Sequence, residues 1–129
     1  MTKQRTAVIG DTSAASGKQV AEALRAEGVE VVATCYDGIS LVEAVVQHHP
    51  SVVALDLILP RLTGLQVIDA LRRKGLNPSF VVASAVSARE RVLAAKEAGV
   101  SFYILKPIDA ARLAKMASAL ALELEIAVA

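Results

Sequence analysis

Four polar residues stand at or just after the ends of short apolar runs in the sequence. They are Asp11, Asp56, Ser84 and Lys106. Together they supply two carboxylates, a hydroxyl and an ammonium group. A carboxylate can attack phosphorus to form an aspartyl phosphate, and carboxylate oxygens are the ligands that Mg²⁺ prefers. The set therefore predicts phosphoryl transfer onto a carboxylate.

Asp56 is the best candidate for the nucleophile. It lies inside the apolar segment 52–60, where a charge is costly unless another group pairs with it. Asp11 is then placed to hold Mg²⁺, Lys106 to neutralise a phosphoryl oxygen, and Ser84 to donate a hydrogen bond to another. Taken singly, each residue has an ordinary explanation as a loop, cap, turn or solvated side chain. All four explanations would have to coincide at one edge of the fold.

The elements that must position these residues are five apolar runs that do not alternate with polar residues. They are residues 7–9, 31–33, 52–55, 80–83 and 102–105. Continuous apolar runs of this length are typical of strands buried on both faces. Each gap between them holds one helix and two short loops. Strict alternation of strand and helix predicts a parallel sheet with helices on both faces, and ligands then bind outside the carboxyl ends of the strands.

Helix ends are marked by residues with special backbone or capping chemistry. Gly28, Gly75 and Gly99 are expected at left-handed positions that end three of the helices. The segment 48–50, His-His-Pro, ends another. Asp109 is expected to cap the N-terminus of the last helix. We therefore predict one α/β domain over residues 1–129.

Composition excludes several classes of protein. The 14 basic and 13 acidic residues give a net charge of +1, so a nucleic-acid surface is not expected. Mean hydropathy is +0.49, yet the longest segment without a charged residue, 75–88, is interrupted by Gly and Pro and is shorter than the roughly 20 residues a membrane span needs. The N-terminus has no signal-peptide pattern, so we expect a cytoplasmic protein. The single cysteine, Cys35, is expected in the core.

At these residues the sequence resembles a response-regulator receiver domain of two-component signalling. The resemblance covers about residues 6–125. Its most specific motifs are Leu55–Pro60 with Gly64, Ala98–Val100, and Tyr103–Pro107. The segment from Ser101 to Asp109 is similar to the receivers of sporulation stage-zero regulators.

The resemblance implies a flavodoxin-like (βα)5 fold with a five-stranded parallel sheet in the order 2-1-3-4-5. It implies that Asp56 accepts phosphate from a histidine kinase or a phosphotransfer protein of a phosphorelay. It also implies that Asp11, Asp56 and the backbone carbonyl of Ile58 bind Mg²⁺. Such a domain signals through protein contacts and carries out no catalysis beyond its own phosphorylation.

The resemblance further assigns switch roles to Ser84 and Tyr103, and it implies a cis peptide bond between Lys106 and Pro107. Phosphorylation would draw Ser84 inward, and Tyr103 would rotate into the vacated space. The other interpretation is that Tyr103 is an ordinary, half-buried strand residue. Ile58 and Val86 flank the site with apolar side chains that cannot orient water, which predicts slow autodephosphorylation.

Gly10 is the main departure from the family pattern. Receivers usually carry two adjacent acidic residues after the first strand, and here only Asp11 remains. Because cation affinity follows the charge of the ligands, Mg²⁺ binding should be weaker. Thr63 also replaces an acidic residue before Gly64, a difference that concerns the turn. A second possible function is therefore that of a pseudo-receiver, which binds proteins without phosphorylation.

Two kinds of phosphate-binding site and a metal site have weaker support in the sequence. The segment 10–18 resembles a phosphate-binding loop but has the wrong glycine spacing. A flavodoxin-type site could use Thr12, Ser13 and Ser16, although aromatic residues make up only 3 % of the chain. The histidines of segment 48–50 suit a helix C-terminus better than a metal.

The last helix carries more apolar residues than one packing face requires. Leu113, Met116, Leu120 and Leu124 form one stripe, whereas Leu122, Ile126 and residues 127–129 lie off it or beyond it. A helix that is apolar on more than one side favours a second partner. We therefore expect self-association or an output domain to dock on this helix, with a solvent-exposed helix end as the other interpretation.

Overall fold

The computed structural model describes the backbone of residues 5–128 and the side chains of residues 5–126. Residues 1–4, which carry part of the prediction that there is no signal peptide, lie outside this range. So do the side chains of residues 127–129, which belong to the apolar surplus of the last helix. Within residues 5–128, five strands alternate with five helices.

The bounds of these elements follow the predicted apolar runs closely. They are β1 Thr6–Gly10, α1 Ala14–Ala26, β2 Glu30–Cys35, α2 Gly38–His48, β3 Val52–Leu55, α3 Gly64–Arg73, β4 Ser79–Ser84, α4 Arg89–Glu97, β5 Phe102–Leu105 and α5 Ala110–Val128. The strands form one parallel sheet in the order β2-β1-β3-β4-β5. The predicted flavodoxin-like fold and its strand order are therefore confirmed.

Two hydrophobic clusters cover the two faces of the sheet. On one face, Ile9 of β1 packs with residues of α1 and α5 such as Leu24 and Leu120. On the other face, Val8 packs with residues of α2 and α3 such as Leu41. Alternate side chains of β1 thus point into opposite clusters, as the two-residue period of a strand requires. Helices therefore pack on both faces of the sheet and hold its strands in place.

The edge strands are less buried than their composition predicts. The prediction that every strand is buried on both faces is right for β1, β3 and β4 and wrong for β2 and β5. Val31 and Val32 of β2 are only partly buried, and Leu105 of β5 is 47 % exposed. The physical reason is position, because an edge strand has a neighbour on one side only.

The helix ends agree with the predicted capping residues. Gly28, Gly75 and Gly99 have φ values of 80°, 78° and 87°, a backbone region that glycine adopts without a Cβ penalty. The Asp109 carboxylate accepts a hydrogen bond from the backbone N–H of Arg112 at the start of α5. The three glycines lie in loops that lead from a helix into the amino end of the next strand, whereas Asp109 lies in the loop that follows the carboxyl end of β5.

α5 buries the predicted stripe, which consists of Leu113, Met116, Leu120 and Leu124. Leu122 and Ile126 are 58 % and 67 % exposed.

None of the helices in the described residues combines the length and apolar character of a membrane span. Cys35 is buried as a free thiol, and its burial, together with the negative charges of Asp37 and Glu43, raises the pKa of that thiol.

Candidate functional site

The four polar residues meet at the carboxyl edge of the sheet, where the strand order reverses between β1 and β3. Asp11 follows β1, Asp56 follows β3, Ser84 ends β4 and Lys106 follows β5. Backbone hydrogen bonds continue the sheet through this edge, from Asp56 N to Gly10 O at 3.0 Å and from Lys106 N to Ser84 O at 2.9 Å. The parallel register therefore brings all four predicted residues together.

Lys106 bridges the two carboxylates. Its Nζ atom lies 2.9 Å from an oxygen of Asp11 and 2.8 Å from Oδ2 of Asp56. The side chains are mostly buried, with exposed fractions of 15 % for Lys106, 4 % for Asp11 and 10 % for Asp56. Shielding from water strengthens these ion pairs. One ammonium group thus holds two carboxylates from different strands.

The second oxygen of the Asp56 carboxylate is held by hydrogen bonds from neutral groups. The Ser84 hydroxyl donates to Oδ1 of Asp56 at 2.5 Å, and the backbone N–H of Ile58 donates to the same atom at 3.0 Å. Asp11 is fixed in a similar way, because the Ser13 N–H donates to its Oδ1 at 2.9 Å. Both carboxylates are therefore oriented before any ligand binds.

The charge balance of the site leaves one negative charge uncompensated. Asp11 and Asp56 contribute two negative charges against the single positive charge of Lys106. Burial of Lys106 opposes its charge, but hydrogen bonds and attraction from Asp56 and Asp11 outweigh this effect and raise the pKa of the ammonium group. The lysine therefore stays charged throughout the neutral range, and the site favours a further cation.

The donor set fits a hard divalent cation. Two carboxylates reach the same ammonium group within 3.0 Å, and oxygen ligands of this kind suit Mg²⁺. Among the described side chains, no group of three or more His, Cys, Asp and Glu residues forms a metal cage. Any cation at this edge would therefore depend on Asp11, Asp56 and backbone or solvent oxygens. The histidines at the end of α2 are exposed.

Hydrogen bonds connect the site to β5 through residue 86. The backbone N–H of Val86 donates to the Ser84 hydroxyl oxygen at 3.2 Å, and the Tyr103 hydroxyl donates to the backbone carbonyl of Val86. Tyr103 is half-buried, and its burial together with the charge of Asp56 raises the pKa of the phenol. The sequence contains no signal for the part that Val86 plays, because its backbone makes both contacts.

The loop after β3 needs a glycine where α3 begins. A Cβ atom on Gly64 would lie 2.6 Å from the carbonyl oxygen of Asp56 and 2.7 Å from the Cα atom of Leu57, and real Cβ atoms do not approach that closely. Thr63 caps α3 through a reciprocal pair of hydrogen bonds with Gln66. Thr63, which replaces the acidic residue common in receivers, thus acts in the turn before α3, as predicted.

The peptide bond between Lys106 and Pro107 is cis, in agreement with the sequence-based expectation.

Comparison with known proteins identifies the family. Residues 7–118 match the response regulator receiver domain. The chain belongs to that family. Receiver domains generally accept a phosphoryl group rather than act as enzymes, they generally bind Mg²⁺ at an acidic pocket, and they interact with histidine kinases and output domains.

Individual relatives agree with this assignment. The transcriptional regulatory protein PdtaR of Mycobacterium tuberculosis is 34 % identical over 105 residues, which cover 81 % of this chain and 51 % of PdtaR. The chemotaxis protein CheY of Treponema pallidum is 33 % identical over 107 residues, or 81 % of this chain and 74 % of CheY. This receiver therefore spans about half the length of PdtaR.

A solved structure gives the same result for the fold. The receiver domain of AraT from Geobacillus stearothermophilus superposes with a TM-score of 0.89 at 26 % identity, over 98 % of this chain and all of that domain. These matches do not bear on the finer resemblance to sporulation regulators, which stays a prediction.

Proposed function

We propose that this receiver accepts a phosphoryl group on Asp56 from a histidine kinase or phosphotransfer protein. The observation that carries the proposal is the way the Asp56 carboxylate is held. One oxygen accepts hydrogen bonds from Ser84 and Ile58, and the other faces the Lys106 ammonium group. A buried carboxylate with a fixed orientation and an adjacent cation is suited to nucleophilic attack.

In the reaction, an oxygen of Asp56 attacks the phosphorus of a phosphohistidine. The new O–P bond forms as the P–N bond breaks, and the electron pair leaves with the imidazole nitrogen. Lys106 offsets negative charge that develops on the phosphoryl oxygens, and the Ser84 hydroxyl can transfer its hydrogen bond from the carboxylate to one of them. The product is an aspartyl phosphate at the sheet edge.

Asp11 and Asp56, with the backbone carbonyl of Ile58, would hold Mg²⁺. The ion would supply positive charge to the phosphoryl oxygens during transfer. The single uncompensated negative charge of the site supports this assignment. It also supports weak binding, because Gly10 contributes no carboxylate.

The output of the switch is proposed to be a change at α4 and β5. Phosphorylation adds a charge of about −1.5 to −2 and three acceptor oxygens, which compete for the Ser84 hydroxyl. Ser84 is linked through Val86 to Tyr103, and Leu93 and Leu105 are exposed nearby. A shift of residues 84–86 would therefore alter an apolar surface that a partner can contact.

Intact mass spectrometry after incubation with Mg²⁺ and acetyl phosphate tests the proposal. We expect a gain of one phosphoryl group in the wild type and none in Asp56→Asn. Asp69→Asn is the matched control, because Asp69 is exposed on α3, where it pairs with Arg73, and it should keep the gain. A gain retained in Asp56→Asn would exclude Asp56 as the acceptor.

Two further outcomes of that experiment are informative. Absence of a gain in every protein would favour a pseudo-receiver that binds proteins without phosphorylation. We also expect slow loss of the phosphoryl group, because Ile58, whose side chain is 58 % exposed, and Val86 are apolar and cannot orient water. A lifetime of seconds would contradict this expectation.

The exposed side of α5 is the proposed site for self-association or an output domain. Leu122 and Ile126 lie off the buried stripe, and PdtaR is about twice as long as the matched region. Sedimentation of the chain at high concentration distinguishes the two, because a strict monomer would count against self-association.

A further inference from the structure

Gly10 lies at a place where the fold leaves no room for a side chain. It is the last residue of β1, next to Asp11, and its carbonyl oxygen accepts a hydrogen bond from the backbone of Asp56. A Cβ atom on Gly10 would stand 2.4 Å from Cδ2 of Leu41 and 3.2 Å from its Cδ1 and Cγ atoms. A contact of 2.4 Å is shorter than any Cβ atom adopts. Leu41 therefore fills the space that a side chain at residue 10 would enter.

Leu41 could move aside only by displacing other buried side chains. It projects from α2 into the cluster that contains Val8 and Leu55, and its exposed fraction is 0 %. Protein interiors are closely packed, so a displaced leucine has to disturb its neighbours. The Leu41 side chain thus fills the space beside Gly10 from the side of α2.

We propose that Leu41 determines how many carboxylates this receiver presents to a cation. By packing onto Gly10, it restricts the acidic side chains of the site to Asp11 and Asp56, so that Gly10 and Leu41 act as one compensating pair. Leu41 is then a positioning residue that sets cation affinity without touching the cation. This inference rests on the proposed function, because it assumes that the Asp11 and Asp56 carboxylates bind Mg²⁺.

The charge of the site gives the pair a physical consequence. With Gly10, two carboxylates face one ammonium group, so that one negative charge is uncompensated. A third carboxylate would leave two negative charges uncompensated. The extra charge would raise the affinity for a cation, but the three carboxylates would repel one another when no divalent cation is bound. The Gly10–Leu41 pair thus lowers cation affinity and limits the repulsion among the carboxylates when no divalent cation is bound.

Calorimetric titration with MgCl₂ and MnCl₂ tests the pair, with unfolding by urea measured on the same proteins. The variants are Gly10→Asp, Leu41→Ala, Gly10→Asp/Leu41→Ala and the matched control Gly10→Asn/Leu41→Ala. Asparagine has nearly the shape of aspartate and lacks its charge. We expect the Asp-containing double variant to bind Mg²⁺ about tenfold more tightly than the Asn-containing one and than wild type.

The single variants separate steric exclusion from charge. Gly10→Asp alone should unfold at a lower urea concentration than wild type and should gain less affinity than the double variant. If Leu41→Ala does not fold, Leu41→Val replaces it in every comparison, because it removes a single methylene group. Equal affinity of the Asp- and Asn-containing double variants would overturn the proposal. So would an unchanged urea midpoint and full affinity gain in Gly10→Asp alone.

Failure of the proposed function would look different. If Asp56 were not the phosphoryl acceptor, mass spectrometry would show the gain in Asp56→Asn, while the affinities of the residue 10 variants would be unaffected. If the carboxylates bound no cation, neither the wild type nor any of the four variants would show saturable binding in the calorimetric titration. The proposal for Leu41 would then be wrong.

Discussion

Replacement of Lys106 by methionine should destabilise the protein mainly by leaving two carboxylates without their cation. The Nζ atom lies 2.9 Å from Asp11 and 2.8 Å from Asp56, and methionine keeps an apolar stem of similar length. Removal of one partner from a buried ion pair costs about 3–5 kcal/mol. The exposed fraction of 15 % for Lys106 reduces this, so we expect a loss of about 2–4 kcal/mol at pH 7.

Urea unfolding followed by far-UV circular dichroism is the assay, because the chain has no tryptophan to report by fluorescence. With a typical dependence on urea of about 1–3 kcal/mol per molar, the midpoint should fall by about 0.7–4 M. Lys115→Met is the matched control. Lys115 is exposed on α5, so its loss should change the free energy of unfolding by less than about 0.5 kcal/mol.

Two conditions distinguish lost charge from lost packing. Lost packing would be the same with and without a divalent cation, whereas lost charge would not. Mg²⁺ should stabilise the variant more than wild type, because the ion replaces the missing positive charge. A loss under about 1 kcal/mol at pH 7, or equal stabilisation of the variant and the wild type by Mg²⁺, would refute the electrostatic reasoning.

Three further predictions concern the surroundings of the site. Tyr103→Phe removes the hydroxyl that donates to Val86 and should cost about 0.5–1.5 kcal/mol in urea unfolding, while the phosphoryl gain by mass stays intact. Because the pKa of Lys106 is raised, its contribution to stability should be constant up to about pH 10.4 and be lost above it; a loss that begins near pH 8 would contradict this. Gly64→Ala should destabilise because its Cβ meets backbone atoms, whereas Gly17→Ala, with its nearest contacts at 3.8 Å and 3.9 Å, should raise the urea midpoint.

The sequence predicts those parts of the fold and site that depend on local patterns. Continuous apolar runs identify the strands, glycines identify helix ends, and the residue at the end of each strand identifies Asp11, Asp56, Ser84 and Lys106. Their convergence then follows from the parallel sheet, because the carboxyl ends of parallel strands share one edge. No knowledge of side-chain packing is required for these steps.

Contacts that depend on how elements dock are beyond such patterns. The sequence shows that Gly10 lacks a carboxylate, but not that Leu41, 31 positions later, occupies its space. That contact depends on the position of α2 against β1. The partial exposure of Val31 and Val32 likewise depends on strand order, since an apolar run looks the same in a central strand and an edge strand.

The proposed switch would lie in the short segment of backbone that links Asp56 to β5. The peptide groups around Val86 are held at both ends, because its N–H donates to the Ser84 hydroxyl and its carbonyl accepts from Tyr103. The half-buried Tyr103 hydroxyl is already bonded before phosphorylation, so a large rotation of the ring is not required for it to respond. In the proposed switch a phosphoryl group would draw Ser84 away from the carboxylate, so that Val86 would have to move or lose a hydrogen bond, and either result would displace the partner of Tyr103. Tyr103→Phe should therefore leave phosphorylation of Asp56 intact but weaken its effect on β5, because the variant lacks only the hydrogen bond from Tyr103 to Val86.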